Sequence, residues 1–274
     1  CSFWHFRFDA NTDMKMEALT SYMKDRPEVK NVYLINQNYS HGQQVSRVAK
    51  DLLARKRPDV KIVGDDLHPL GQVRDFSPYI AKMRAANADT IITGNWGPDL
   101  ALLVRAARDA GLKANFYTYY GGVIGTPTAV GAAGEDRMRM VAYWHPNIEN
   151  NKQGEAIYEG FKKKNNEEFY TVASYSALVM LAEAIKKAKS IEPLRVAYAM
   201  EGLKVASLNG EVEMRASDHQ LLQPLWLASW TKLTPPLKHD IEKTGYTWKT
   251  ERAFPTFVAS QPTSCTMVRP PRPQ

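Results

Sequence analysis

The chain has 274 residues, 44% of them hydrophobic and 24% charged, the balance of a folded globular protein, which excludes a disordered one. Its length suits one large domain or two smaller lobes, and its longest apolar runs, at 101–104 and 176–185, fall well short of the ~20 residues a membrane-spanning helix needs. The formal charge of +7 sits on lysines and arginines scattered over helix faces, densest at Lys162, Lys163, Lys164 and at Lys186, Lys187, Lys189. No aromatic residues interleave with them, so the charge reads as a solvated surface and not as a nucleic-acid platform.

In chain order, extended apolar runs alternate with amphipathic helical segments, the signature of an α/β fold with a doubly wound parallel sheet. Residues 32–35 read as a buried strand, and Val45, Val48, Ala49, Leu52 and Leu53 form the stripe of the helix that follows. Residues 61–63 begin a second strand. Ser77 and Pro78 predict a helix with Ser77 as its N-cap, running to about Ala86. Residues 90–93 form a third strand, and Gly97-Pro98 opens a helix ended by Gly111. Residues 115–120 make a fourth, and all four strands are expected to be parallel. Residues 121–134, rich in Gly, Ala and Thr, read as a loop, with a hinge near 138 and an extended run to 144. Three helices are predicted at 153–164, 174–189 and 193–202, the middle one apolar over most of its circumference and therefore buried between layers. Residues 211–215 and 225–231 alternate about a polar turn, as in an antiparallel hairpin, and the proline-rich end after Pro255 predicts an extended strap.

No catalytic constellation is complete: GxSxG, HExxH, GxxxxGK[ST] and GxGxxG are all absent. The run Gly121-Gly122-Val-Ile-Gly125 has the wrong spacing for a phosphate cradle and reads as a turn. His5, His41, His68, His145, His219 and His239 never fall at helical metal-ligand spacing, so no metal and no cofactor is expected. Asp65 and Asp66, adjacent on a strand, face opposite ways and cannot share a proton; solvation is their expected role. Cys1 and Cys265 either pair, which would imply an oxidising compartment, or stay free; the residues themselves leave this open. The Ser-Phe-Trp-His that follows Cys1 reads as an internal cut and not as a lipoprotein tether.

In open α/β sheets, ligands bind beyond the C-terminal ends of the strands. Tyr39 follows the first strand, Trp96 the third, and Tyr119 with Tyr120 the fourth, so three βα units are expected to present aromatic groups to one edge, suited to a small organic solute.

Phe6-Arg7 before a helix, Asn38-Tyr-Ser-His-Gly42, Thr93-Gly-Asn-Trp-Gly-Pro-Asp99, Gly111-Leu112-Lys113, Tyr175-Ser-Ala-Leu178 and the Ser264-Cys265 tail resemble, in order and spacing, the leucine/isoleucine/valine-binding proteins of ABC transporters. The resemblance covers nearly the whole chain and implies a two-lobed type I periplasmic binding fold with one lobe incomplete. Residues 1–138 would be the main part of lobe two, 139–203 the remaining part of lobe one, 204–252 a lobe-two hairpin and 253–274 an extended tail. Nothing corresponds to the strand-rich first half of lobe one, and Cys1 would sit at the first crossover. The implied role is the periplasmic substrate-binding component of an ABC importer, with a small-molecule solute and an ABC transporter permease as partners, the membrane reached only through the permease, and no catalysis. A ligand-sensing domain of a regulator or receptor is the alternative. Tyr39, Trp96, Tyr120 and Tyr170 match positions that line the family's cleft. Amino-acid binders place a Glu where Tyr120 stands, which implies a cargo without an α-ammonium, such as a carboxylate or an amide.

Overall fold

Parallel strands need a crossover long enough to return the chain across the sheet, and a helix supplies it. A computed structural model describes residues 1–170 and 172–273, Ala259 by its backbone alone. The first half runs α1 (Thr12–Met23), β1 (Asn31–Gln37), α2 (Ser40–Lys56), β2 (Lys61–His68), α3 (Ser77–Ala85), β3 (Thr90–Thr93), α4 (Gly97–Asp109), β4 (Asn115–Thr118), α5 (Thr126–Val130) and β5 (Met138–Ala142). There follow α6 (Lys152–Asn165), α7 (Val172–Ala188), α8 (Pro193–Met200), β6 (Lys204–Ser207), β7 (Gly210–Met214), β8 (Leu221–Leu222), β9 (Leu225–Lys232), β10 (Tyr246–Phe254) and the short α9 (Thr256–Ala259).

The main sheet has seven strands in the order β10-β9-β5-β4-β3-β1-β2. Strands β1 to β5 pair in parallel, while β9 is antiparallel to both β5 and β10. Because strand side chains alternate, Val32 and Leu34 of β1 enter a core shared with α1 and α2, and Tyr33 and Ile35 enter the opposite core beneath α3 and α4. Each buried aliphatic side chain contributes about 1.5–3 kcal/mol, so covering both faces is what makes continuous apolar strands stable.

A second unit packs α7 and α8 on the three-stranded sheet β6-β7-β8, around Met180, Ala184, Val196, Val212 and Met214. Trp144, Tyr158 and Phe169 form a smaller core where α6 meets the segment leaving β5.

Several local expectations are corrected. The predicted hairpin is not one: β7 pairs with β6 and β8, whereas β9 joins the seven-stranded sheet, because an alternating pattern specifies a half-buried strand and not its partner. Helix α7 buries one stripe, Val172, Ser176, Met180 and Ala184, and leaves Leu178 at 69% exposure, since α8 and the small sheet cover one side only. The 121–134 stretch folds into α5 and a 3-10 turn at Gly131–Gly134; the Glu242 carboxylate accepts from the Gly125 and Thr128 amides at 2.5 and 2.8 Å, a distant cap for a weak helix. Phe76, not Ser77, occupies the N-cap of α3, and Asp75 Oδ1 accepts from the Ser77 amide at 2.8 Å. Asp65 and Asp66 do face opposite ways, but both are paired: Asp65 with Ser46 and Lys50 of α2, Asp66 with Tyr33 and with Lys82 of α3. The strap after Pro255 is interrupted by α9.

Cys1 and Cys265 are joined in a disulfide across a sequence separation of 264, with their Cα atoms 5.4 Å apart. Closing so long a loop removes denatured-state entropy equivalent to about 5 kcal/mol in the chain-entropy limit. Dithiothreitol, or Cys265→Ser, is therefore expected to lower the urea midpoint; an unchanged midpoint would show that the bridge does not restrain the unfolded chain.

Candidate ligand-binding site at the sheet edge

In the strand order β2-β1-β3-β4-β5, the connections leave β1 and β3 in opposite directions, which opens a crevice beyond their C-terminal ends. Tyr39 and Trp96 stand at that crevice. Each is the extended N-cap residue of the helix after its strand, α2 and α4, and neither side chain is used in capping. Trp96 Nε1 donates to the Tyr39 hydroxyl at 3.0 Å, bridging the switch point, and Trp96 remains 39% exposed.

Close backbone approach sets this geometry. A Cβ on Gly42 would lie 1.9 Å from the Gln37 carbonyl oxygen, and one on Gly94 would lie 2.9 Å from Val45 Cγ2 and 3.0 Å from His41 Nε2. Beneath the aromatic pair runs a buried polar layer. Asn36 Oδ1 accepts from the Gly94 amide at 2.7 Å, and Gln37 Nε2 donates to Asp99 Oδ2 at 2.7 Å. His68 Nδ1 donates to the Pro69 carbonyl at 3.1 Å, which leaves Nε2 to accept from Asn95 Nδ2 at 2.8 Å. Paired buried polar groups of this kind rigidify the loops they join.

The aromatic row continues through His41, whose ring centroid is 5.8 Å from Tyr39 and 5.6 Å from Tyr120. Burial, and then the nearby Lys15 charge, hold the His41 imidazole below its ordinary range, and its Nε2 has no hydrogen-bond partner. The Tyr120 hydroxyl donates to Asp9 Oδ2 at 3.0 Å; burial first, then the Asp9 charge, push that hydroxyl above the usual tyrosine range. Asp9 Oδ1 also lies 3.1 Å from Lys15 Nζ. The Lys15 ammonium is enclosed by rings, 4.1 Å from the centroid of Tyr120, 5.4 Å from Tyr143 and 5.9 Å from Tyr119.

Lys15 also lines an internal cavity of about 50 Å³ between the main sheet and the second unit, with Tyr143, His145, Tyr170 and Trp248. His145 is fully enclosed there: Nε2 meets Thr250 Oγ1 at 2.8 Å, Nδ1 is unpartnered, and burial lowers its pKa to about 3.

Of the residues singled out from sequence, Tyr39, Trp96 and Tyr120 share one edge, and Tyr170 approaches from the second unit beside the same cavity as Lys15. Tyr119 does not present itself at the edge: it is 2% exposed and its hydroxyl donates to the Thr12 carbonyl at 3.3 Å, supporting α1 from below. Sequence reasoning missed Asp9, Lys15 and His41. Lys15 carried a signal, a lysine between Met14 and Met16 on a helix that buries nearly every neighbour. Among the described residues, no three His, Cys, Asp or Glu side chains gather as a metal site.

An open α/β sheet with a crevice at its switch point is shared by several fold families, and comparison places this one: residues 1–234 match the family described as periplasmic binding protein, and the chain belongs to that family. The Leu/Ile/Val-binding protein homolog 4 of Brucella abortus (strain 2308) is 33% identical over 283 residues, covering 98% of this chain and 65% of the relative. The chain therefore spans just under two thirds of the length of such curated relatives. The closed crystal structure of the leucine-, isoleucine-, valine-, threonine- and alanine-binding protein of Brucella ovis superposes with a TM-score of 0.88 at 32% identity, over 98% of this chain and 70% of that one. A benzoate-bound solute-binding protein from R. palustris shares the fold, with a TM-score of 0.76 at 17% identity over 91% of this chain and 65% of that one.

Two outcomes are expected. Gly42→Ala drives a methyl group into the Gln37 carbonyl and should destabilise the fold by about 1–3 kcal/mol, read by urea denaturation. Because the folded-state pKa of His145 lies below its unfolded value, its contribution is complete above about pH 6.5 and falls away toward pH 3, by about 1.4 kcal/mol per pH unit. His145→Gln should flatten the loss of stability over that window relative to the parent protein.

Proposed function

We propose that this chain forms most of the solute-gripping part of a periplasmic receptor that delivers a small organic solute to the permease of an ABC importer of the branched-chain amino-acid type. The observation that carries this reading is the hydrogen-bonded Tyr39–Trp96 pair spanning the crevice between β1 and β3, the place where open α/β sheets bind ligands. Aromatic rings with polar tips offer an apolar wall and directed donors together, as a small amphipathic solute requires. Tyr120 extends that wall toward the second unit, and Tyr143 and Tyr170 flank the seam where the two units meet. The membership in the periplasmic binding protein family and the relatives named above support the same role. A clamp works by differential affinity, binding the solute better closed than open, so solute must draw the units together.

Isothermal titration of the full-length protein with aliphatic and aromatic amino acids and with the corresponding acids and amides is expected to find one solute class that binds and lowers the radius of gyration in solution scattering. Trp96→Ala should weaken that binding about tenfold or more. Tight binding with an unchanged radius would contradict a clamp.

A further inference from the structure

The cavity between the main sheet and the second unit holds two polar atoms that no other group of the protein satisfies. Trp248 of β10 is 2% exposed, and its indole Nε1 has no hydrogen-bond partner. His145 is 1% exposed; its Nε2 lies 2.8 Å from Thr250 Oγ1, and its Nδ1 has no partner either. Both residues line the cavity, as does Gly122, and a Cβ on Gly122 would stand 3.7 Å from the Trp248 Nε1. The bare α-carbon of Gly122 thus keeps open the space beside the indole N–H. Native interiors pair the great majority of such groups, because leaving one buried and unpaired is costly.

The lining also sets the chemistry of what can enter. Each charged group on the wall is already engaged: Lys15 with Asp9 at 3.1 Å, Glu168 with Lys162 at 2.8 Å, and Glu242 with the Gly125 and Thr128 amides. A charged guest would therefore find no free counter-charge, and an apolar one would leave both nitrogens unpaired. The space, about 50 Å³, suits one or two water molecules, each with a share of liquid volume of roughly 30 Å³, or one short alcohol.

We infer that this cavity binds a hydroxyl group, of water or of a short alcohol, which accepts from Trp248 Nε1 and hydrogen-bonds His145 Nδ1. A hydroxyl both accepts and donates without charge, so it meets the imidazole nitrogen in either neutral tautomer, whereas the indole nitrogen can only donate. Tyr39 and Trp96 take no part in this site, which lies where chain segments 142–146, 168–170 and 241–242 converge. Its guest ties the segment leaving β5 to β10 at the root of the seam between the units.

The test is a crystal structure of the full-length protein, solved untreated, after an ethanol soak and under xenon pressure. The untreated crystal is expected to show an ordered oxygen within hydrogen-bond distance of both Trp248 Nε1 and His145 Nδ1. Replacement of that oxygen by ethanol shows that the site accepts an alcohol; an oxygen that ethanol does not displace shows that the guest is water. Xenon in the cavity with no ordered oxygen, the behaviour of a dry apolar void, overturns the assignment, as does an oxygen that bonds neither nitrogen. In solution, the indole Nε1–H resonance of Trp248, identified by its loss in Trp248→Phe, should show a nuclear Overhauser cross-peak to bound water or to added ethanol. Ethanol seen in the crystal without its cross-peak is binding at crystal concentration only and leaves water as the guest; no cross-peak to either overturns the site. Gly122→Ala sets a methyl group beside that N–H and should abolish the cross-peak while the other tryptophan resonances stay in place. A cross-peak that persists in this variant puts the guest elsewhere and overturns the assignment. If Gly122→Ala does not fold, the parent protein's cross-peak and the xenon experiment still decide.

Discussion

The divergence of connections between β1 and β3 is the constraint on which the rest of this molecule depends. Two parallel strands ending side by side, with their chains leaving in opposite directions, produce a crevice that no side chain from within the sheet fills. Everything at the edge is arranged around it. Helices α2 and α4 start there, their N-cap positions hold Tyr39 and Trp96, and the contacts under Gly42 and Gly94 leave no room for a Cβ. Asn36 Oδ1 accepts from the Gly94 amide that the tight turn exposes, while Gln37 and Asn95 tie in the Asp99 and His68 side chains, so the crevice floor is cross-linked and its aromatic rim is positioned by backbone.

Charge is handled by the same economy of position. Lys15 lies on a helix face otherwise given to the core, a costly place for an ammonium group unless a carboxylate and π faces surround it. Asp9, from the segment before α1, provides the first, and three tyrosines the second: Tyr119 and Tyr120 just after β4 and Tyr143 just after β5. This couples the start of α1 to both the sheet edge and the seam with the second unit.

The second unit meets the main sheet through polar and enclosed contacts. Glu168 accepts from Tyr158 and Lys162 and from the Glu242 amide, and the His145 cavity lies behind them. Beside these directed bonds the seam holds the small apolar cluster of Trp144, Tyr158, Phe169, Val172 and Leu208. The Cys1–Cys265 bridge ties the first and last segments together and keeps the tail on the body of the protein.

Local periodicity by itself determined the βα alternation, the doubly wound class and the places of Tyr39 and Trp96, because burial on one stripe of a helix or both faces of a strand is written in the nearest few residues. Tyr120 was legible as an aromatic at a strand end, and Lys15 only as an oddity among methionines. Only the tertiary structure decided that β7 and β9 belong to different sheets, that α7 buries a single stripe, that Tyr119 turns inward and that Asp9 sits under the Tyr120 hydroxyl. Ladder pairing, burial from one side and an ion pair capped from 111 residues away depend on which surfaces meet after collapse, and no spacing along the chain carries that information.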